Sequence, residues 1–267
     1  MRRLSLLLLL LVFSCKTNPH TGRKQWITIS ESSELKMGLE SWNEIQTKVK
    51  FTNERAYVDP VRRVGAAISK HANKPDYQWE FKVIDDVKIV NAWALPGGKI
   101  AFYKGIYPIL QDEAGMAIVM GHEVSHALLR HGAERVSQQR DTTIAIAIGS
   151  VAAGKNTKQR LAYFAGLSAT AQVLLFLPYS RTHETEADKF GLMLAARAGY
   201  DPRNAIGVWE RMDQLGGSRG PEFLSTHPHP QNRIANMRGW MPEAMALYEQ
   251  SQKQPNKRLP IPPKPPK

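Results

Sequence analysis

Residues 116–129 restrict this 267-residue chain more than any other segment, because they are apolar on nearly every helical face yet enclose His122, Glu123 and His126. A helix of that composition is expected in the interior of a small enzyme. Residues four apart lie on one helical face, one turn from each other, so His122 and His126 can offer two imidazoles to a single cation. Glu123 stands beside the first histidine at the edge of that face. From there its carboxylate can reach a metal-bound water without ligating the metal. Catalytic zinc takes three protein ligands and one open position, and it lowers the pKa of bound water so that a carboxylate can take the proton. The run His122-Glu123-Val124-Ser125-His126 therefore predicts one Zn2+ per chain, with Glu123 as general base.

A third ligand is required, and the run His183-Glu184-Thr185-Glu186-Ala187-Asp188 offers candidates on a second helix, predicted over 182–198 and closed by Gly199. Glu184 and Asp188 are four apart and can both face the metal helix. The favoured arrangement makes Glu184 the ligand, with Asp188 accepting the outer ring N–H of a ligand histidine. Glu186 points to a different face and is the alternative ligand. Taken without the upstream motif, the same run reads as a solvated charged stretch.

The remaining pattern predicts a mainly α, α+β protein. Leu35, Leu39, Trp42, Ile45 and Val49 give a helix starting near Ser30 one buried face. Asp59-Pro60 reads as the start of a second helix carrying Val61, Val64 and Ile68. Trp79, Phe81 and Val83 alternate with polar residues as in a half-buried strand. Segments 88–93 and 99–103 read as a strand pair around the turn Leu95-Pro96-Gly97-Gly98. Ala-rich stretches at 142–153 and 161–177 are expected to be helical, the second packed in a core or against a membrane rather than spanning it. Asp201-Pro202 caps another helix, and short helices are expected after Pro230 and Pro242.

The two ends differ in character. Arg2 and Arg3 precede an apolar run over 4–13, too short to span a bilayer, and Ser14-Cys15 follows. This resembles the lipobox of bacterial lipoproteins, with residues 1–14 removed and Cys15 carrying the lipid. Cys15 is the only cysteine, so no intramolecular disulfide can form. The domain reading is a signal segment 1–14, an anchor and linker 15–29, a metallopeptidase domain 30–250 and a Pro/Lys-rich disordered tail 251–267. The net charge of +12 is spread along the chain rather than gathered in stripes with aromatics, which argues against nucleic acid and suits a mild field near an anionic membrane.

Four separated motifs together resemble a known family, the gluzincin metallopeptidases of HtpX and the CAAX prenyl protease, and among them the BepA/LoiP-like periplasmic lipoproteins. They are Asn91-Ala92-Trp93-Ala94-Leu95-Pro96-Gly97-Gly98, the stretch 121–126, the stretch 180–188, and His227-Pro228 with Arg233-Ile234. The resemblance implies a compact zincin-type helical protease with a small sheet beside its cleft, and Glu184 as third ligand. It implies an extended substrate added to an exposed sheet edge, which makes Asn91, Ala92 and Ala94 candidate binding residues, with Arg233. His227 has three readings. It can donate a proton to the tetrahedral oxyanion. By family resemblance it can fill the open zinc position and keep the enzyme latent. Or its loop caps the next helix while Arg233 pairs with an acidic partner. His229 is a substitute for it.

The function expected on these grounds is a zinc endopeptidase, lipid-anchored at the periplasmic face of a Gram-negative outer membrane. Its partners would be misfolded or unassembled envelope proteins and the membrane, with no nucleic acid. The competing expectation is a chaperone-like envelope assembly factor with latent or secondary proteolysis. A closed structural zinc site is the third.

Overall fold

The computed structural model describes residues 15–146, 168–215, 222–228 and 232–263. The expected signal segment, the centre of the Ala-rich region and His229 lie outside those residues, as does the Cys15 side chain. The described chain is mainly helical with two small sheets. Among the described residues no helix is long and apolar enough to cross a membrane.

A hairpin of β1 (Cys15–Thr17) and β2 (Lys24–Trp26) comes first. Helices α1 (Glu31–Gln46) and α2 (Arg55–His71) follow. Next come β3 (Glu80–Ile84), β4 (Ala92–Leu95) and β5 (Lys99–Tyr103). Then come α3 (Glu113–Leu128), α4 (His131–Ile146), α5 (Ala169–Phe176) and α6 (Arg181–Arg197). The chain closes with α7 (Asn204–Gln214), α8 (Glu222–Thr226) and α9 (Arg233–Gln250).

Helix α3 is buried at all of its positions and forms the axis of the molecule. Helix α6 crosses it where two glycines meet. A Cβ built on Gly121 would stand 2.6 Å from the Gly191 carbonyl oxygen, and one on Gly191 would stand 2.6 Å from the His122 nitrogen. The two backbones are in contact, and no other residue fits at either position. Helices α2 and α7 cover further sides of α3, and α9 packs on α6.

The three-stranded sheet has the order β3-β5-β4. Residues 99–103 pair in parallel with 80–84 on one side and antiparallel with 92–95 on the other. Side chains alternate across a strand, and here both faces are covered. Ile100 and Phe102 join the core around α3, while Ala101 and Tyr103 join a second core with Trp42, Trp93 and Leu174. The half-buried strand expected at residues 79–83 pairs with a central strand, β5, that is buried on both faces. Strand β4 is one of the two edge strands of the sheet.

Other expectations need correcting. Helix α2 begins at Arg55, one turn before Asp59-Pro60, because Tyr57 and Val58 also bury in the core. Pro242 does not begin a helix; α9 runs through it. Leu39 is 44% exposed, and the inner face of α1 is built on Glu34, Gly38, Ser41, Trp42 and Ile45.

The ends of the described chain are also more ordered than their composition suggests. Residues 15–29 are not a free linker. Asn18 and Gln25 are buried, and their side-chain amides donate to the carbonyl of Leu129 at 3.0 and 2.9 Å, at the C-terminus of α3. At the far end, Glu113 N donates to the Lys257 carbonyl (3.0 Å) and Ala114 N to Asn256 Oδ1 (2.9 Å). Leu259 is buried and its N–H donates to the Gln111 carbonyl. The expected disordered tail is therefore a fixed strap at least to Pro263. A buried helix has unpaired backbone groups at both ends, and these segments supply the partners that water cannot.

Two outcomes follow. Gly191→Ala forces α3 and α6 apart, so the urea midpoint should fall by the equivalent of about 1–3 kcal/mol, with reduced zinc content measured on the same preparation. The second concerns Glu134. Burial alone would raise its pKa, but hydrogen bonds from His183 and Arg23 outweigh it and hold the value at about 2 instead of 4.5. A depressed carboxylate stabilises the fold fully above its unfolded pKa and progressively less as pH falls toward the folded one. The gap in urea stability between wild type and Glu134→Gln should therefore be widest at neutral pH and close between about pH 4.5 and pH 2.

Candidate metal centre

The Asp112 side chain accepts from Gly115 N at 2.9 Å and starts α3, so His122 and His126 fall two and three turns into a wholly buried helix. The Ser180 hydroxyl accepts from His183 N at 3.1 Å and starts α6, which puts Glu184 in its first turn and Asp188 one turn later on the same face. The Gly121–Gly191 contact then brings the two faces together.

Four donor groups converge: His122, His126, Glu184 and His227, with all ligand atoms within 4.8 Å of one another and every residue buried. His122 Nε2 lies 3.1 Å from His126 Nε2 and 3.6 Å from Glu184 Oε2, and His126 Nε2 lies 3.5 Å from Glu184 Oε1. Ligands about 2.0–2.1 Å from a tetrahedral zinc are separated by about 3.3 Å. Three imidazoles and a carboxylate at these separations fit one zinc ion.

The surroundings orient these groups. His122 Nδ1 donates to Asp188 Oδ1 at 2.9 Å, which leaves the Nε2 lone pair facing the other donors. Arg233 ties the acids together: Nε donates to Asp188 Oδ2 and Nη2 to Glu184 Oε2, both at 2.6 Å. Its guanidinium lies 4.0 Å over the Trp209 ring. On the other side, Tyr179 stacks on His126 with centroids 3.7 Å apart, and the Arg135 guanidinium lies 3.5 Å over Tyr179. The Arg135 side chain donates to the carbonyls of Leu174 and Leu177.

Burial and charge move the titrations apart. Burial would lower His122, yet the Asp188 hydrogen bond and the Glu184 charge raise it. Burial drives His126 well below its ordinary value. Burial would raise Glu184, but the neighbouring histidines hold it well below the carboxylate range. Glu123 goes the other way, raised chiefly by burial. Its Oε1 has no hydrogen-bond partner and lies 3.5 Å from His227 Nε2.

The structure thus brings His122, Glu123, His126, Glu184, Asp188 and His227 into one cluster. His227 Nδ1 lies 3.2 Å from His122 Nε2 and 3.1 Å from Glu184 Oε1, inside the ligand set. Asn91 is buried, its Oδ1 accepting from Ala92 N and its carbonyl from Tyr103 N. Ala92 and Ala94 lie on edge strand β4, which packs on α3. Arg233 is a correction. It was grouped with substrate-binding residues, but its side chain is wholly buried between Glu184 and Asp188 and cannot meet a substrate. Glu186, the alternative ligand, faces His131 instead, 3.0 Å from its Nε2.

His131, Tyr179, Arg135 and Arg23 escaped the sequence reading, and His183 entered it only as the first residue of the run that carries Glu184. Only His131 had a local signal, its place five residues after His126. Arg130 adopts φ +59 between α3 and α4, and that left-handed turn returns His131 to the site in a way that helical spacing does not suggest.

Replacing Arg233 by leucine leaves two buried carboxylates without their cation. Urea unfolding in excess chelator should show a loss of about 3–5 kcal/mol; an unchanged midpoint would mean that the pair is not held by this guanidinium.

The profile of peptidase family M48 matches residues 58–241. The chain is similar to the mitochondrial metalloendopeptidase OMA1 of Schizosaccharomyces pombe, 34% identical over 241 residues that take in 87% of this chain and 68% of that protein. It is 35% identical over 263 residues to the OMA1 of Saccharomyces cerevisiae, covering 87% of this chain and 71% of that one. Similarity to the beta-barrel assembly-enhancing protease of Escherichia coli K12 is 28% over 248 residues, covering 89% of this chain and 50% of that protein. The likeness extends to mitochondrial and bacterial proteins alike and does not single out the lipoprotein branch.

Proposed function

This chain belongs to peptidase family M48 and is a zinc metalloendopeptidase, and from that premise we propose that it hydrolyses misfolded or unassembled proteins of a bacterial envelope. The observation that carries the catalytic reading is the set of donors on His122, His126 and Glu184 at tetrahedral separations, beside a buried Glu123 with an unpartnered oxygen. His122, His126 and Glu184 would hold zinc, which would supply Lewis acidity to a peptide carbonyl and to the attacking water. Glu123 takes the proton of that water and passes it to the leaving amine. Asp188 holds His122 in the tautomer that directs Nε2 at the metal.

Edge strand β4 supports an extended substrate, which would pair with the backbone of Ala92 and Ala94. Asn91 then acts by fixing the start of that strand through its bonds to Ala92 and Tyr103. His227, inside the ligand set, supports a latent resting form in which it fills the fourth position and withdraws before substrate enters. The same placement favours the second reading, an envelope assembly factor with restrained proteolysis.

Location rests on sequence: the box ending in Cys15 supports a lipid anchor at the periplasmic face of the outer membrane. The name of the Escherichia coli relative, a beta-barrel assembly-enhancing protease, is in keeping with envelope substrates, whereas the mitochondrial relatives carry no argument for them.

Zinc content and cleavage of an unfolded protein test this together. Glu123→Gln should keep about one zinc and lose about 10²–10⁴-fold in rate, while Glu184→Ala should lose the metal. Wild-type cleavage by Glu123→Gln would remove the catalytic reading. Cys15→Ser should move the protein from the membrane fraction to the soluble one.

A further inference from the structure

We propose that His131, Glu186 and Arg23 form a relay that sets the position and tautomer of His126, so that the N-terminal hairpin holds one side of the zinc site. The inference rests on His126 being a ligand through Nε2.

The two metal histidines are supported differently. His122 meets its carboxylate directly, at Asp188. Behind His126 a second imidazole is interposed: His126 Nδ1 lies 3.0 Å from His131 Nδ1, and His131 Nε2 lies 3.0 Å from Glu186 Oε2. The direction of these bonds follows from the chemistry of the groups. A carboxylate only accepts, so His131 carries its proton on Nε2 and donates it to Glu186. The Nδ1 of a neutral His131 is then an acceptor, and the proton between the two Nδ1 atoms belongs to His126. That leaves His126 Nε2 with a bare lone pair facing the metal, the form a zinc ligand needs.

The far end of the relay is closed by one guanidinium. Arg23 Nε donates to Glu186 Oε1 at 2.8 Å, and its terminal nitrogens donate to both oxygens of Glu134 at 2.9 and 2.7 Å. Glu134 in turn accepts from His183 Nε2 at 2.9 Å. The ring of His183 stacks on that of His131, with centroids 4.4 Å apart and planes 17° apart. Two parallel imidazoles thus donate to two carboxylates, and Arg23 spans both. The path runs from the surface inward: side-chain exposure is 25% at Arg23, 13% at Glu186 and nil at His131. Arg23 lies outside the region that the family profile matches, in the turn between β1 and β2. Tension or binding at this hairpin would therefore be felt at His126.

The test uses the full chain and reads zinc affinity by chelator competition, with the visible spectrum of the cobalt-substituted protein as a second readout. His131→Leu should weaken zinc by about 10–100-fold and shift the cobalt bands. His131→Gln, whose carbonyl accepts and whose amide donates, should recover most of the loss. Arg23→Met should weaken zinc by roughly three- to tenfold, with Arg23→Lys in between. The double variant should bind no more weakly than His131→Leu alone, since both act along one path. Zinc affinity and cobalt bands of the wild type in both His131→Leu and Arg23→Met, even with a lowered Tm, would overturn the relay, as would additive losses in the double variant. If His131→Leu does not fold, Arg23→Met at the half-exposed end decides alone. Full zinc retention by His126→Ala would remove the ligand assignment and the relay with it. Loss of zinc there, with wild-type affinity in the other variants, would overturn the relay alone.

Discussion

A helix removed from water along its whole length is the constraint from which the rest of this structure follows. Helix α3 buries His122, Glu123 and His126 with its apolar residues, so the molecule must satisfy from within every polar group on it. Its ends are met by Asp112, Asn256 and Lys257 on one side and by Asn18 and Gln25 on the other. Its middle is met by α6, and the distance there is a matter of backbone contact at Gly121 and Gly191. Ligand geometry is thus set by main chain, which does not change rotamer.

Charge follows the same plan. Acidic groups beside the metal histidines are each closed by an arginine from a distant part of the chain. Arg233 of α9 joins Glu184 to Asp188, and Arg23 of the hairpin joins Glu134 to Glu186. Buried ion pairs of this kind add little net stability. Their value here is positional, since each fixes a carboxylate that in turn fixes a histidine.

The parts of this arrangement legible in the sequence are those written in local spacing. Residues four apart on one helix announce His122 with His126 and Glu184 with Asp188. The expected start of the second helix at residue 182 stands one residue from its observed start at Arg181. Illegible were features that depend on pairing across the chain. Residues 256–259 look like solvated tail because nothing local shows that α3 needs them. Asn18 and Gln25 look like linker for the same reason. The parallel pairing of 80–84 with 99–103 is invisible in either strand alone. An acidic partner for Arg233 is one of the expectations, but which two acids it joins is not written in its own segment. His131 is hidden by the left-handed turn at Arg130.

The straps on α3 also order the assembly of this protease in time. Arg233 and the residues at 256–259 are made after every ligand on α3 and α6, yet the N–H groups of Glu113 and Ala114 have no such partners, and Glu184 has no guanidinium, until they arrive. Before the chain has been synthesised that far, the metal histidines sit on a helix that lacks those contacts. The C-terminal strap and the metal centre therefore belong to one cooperative unit of the fold.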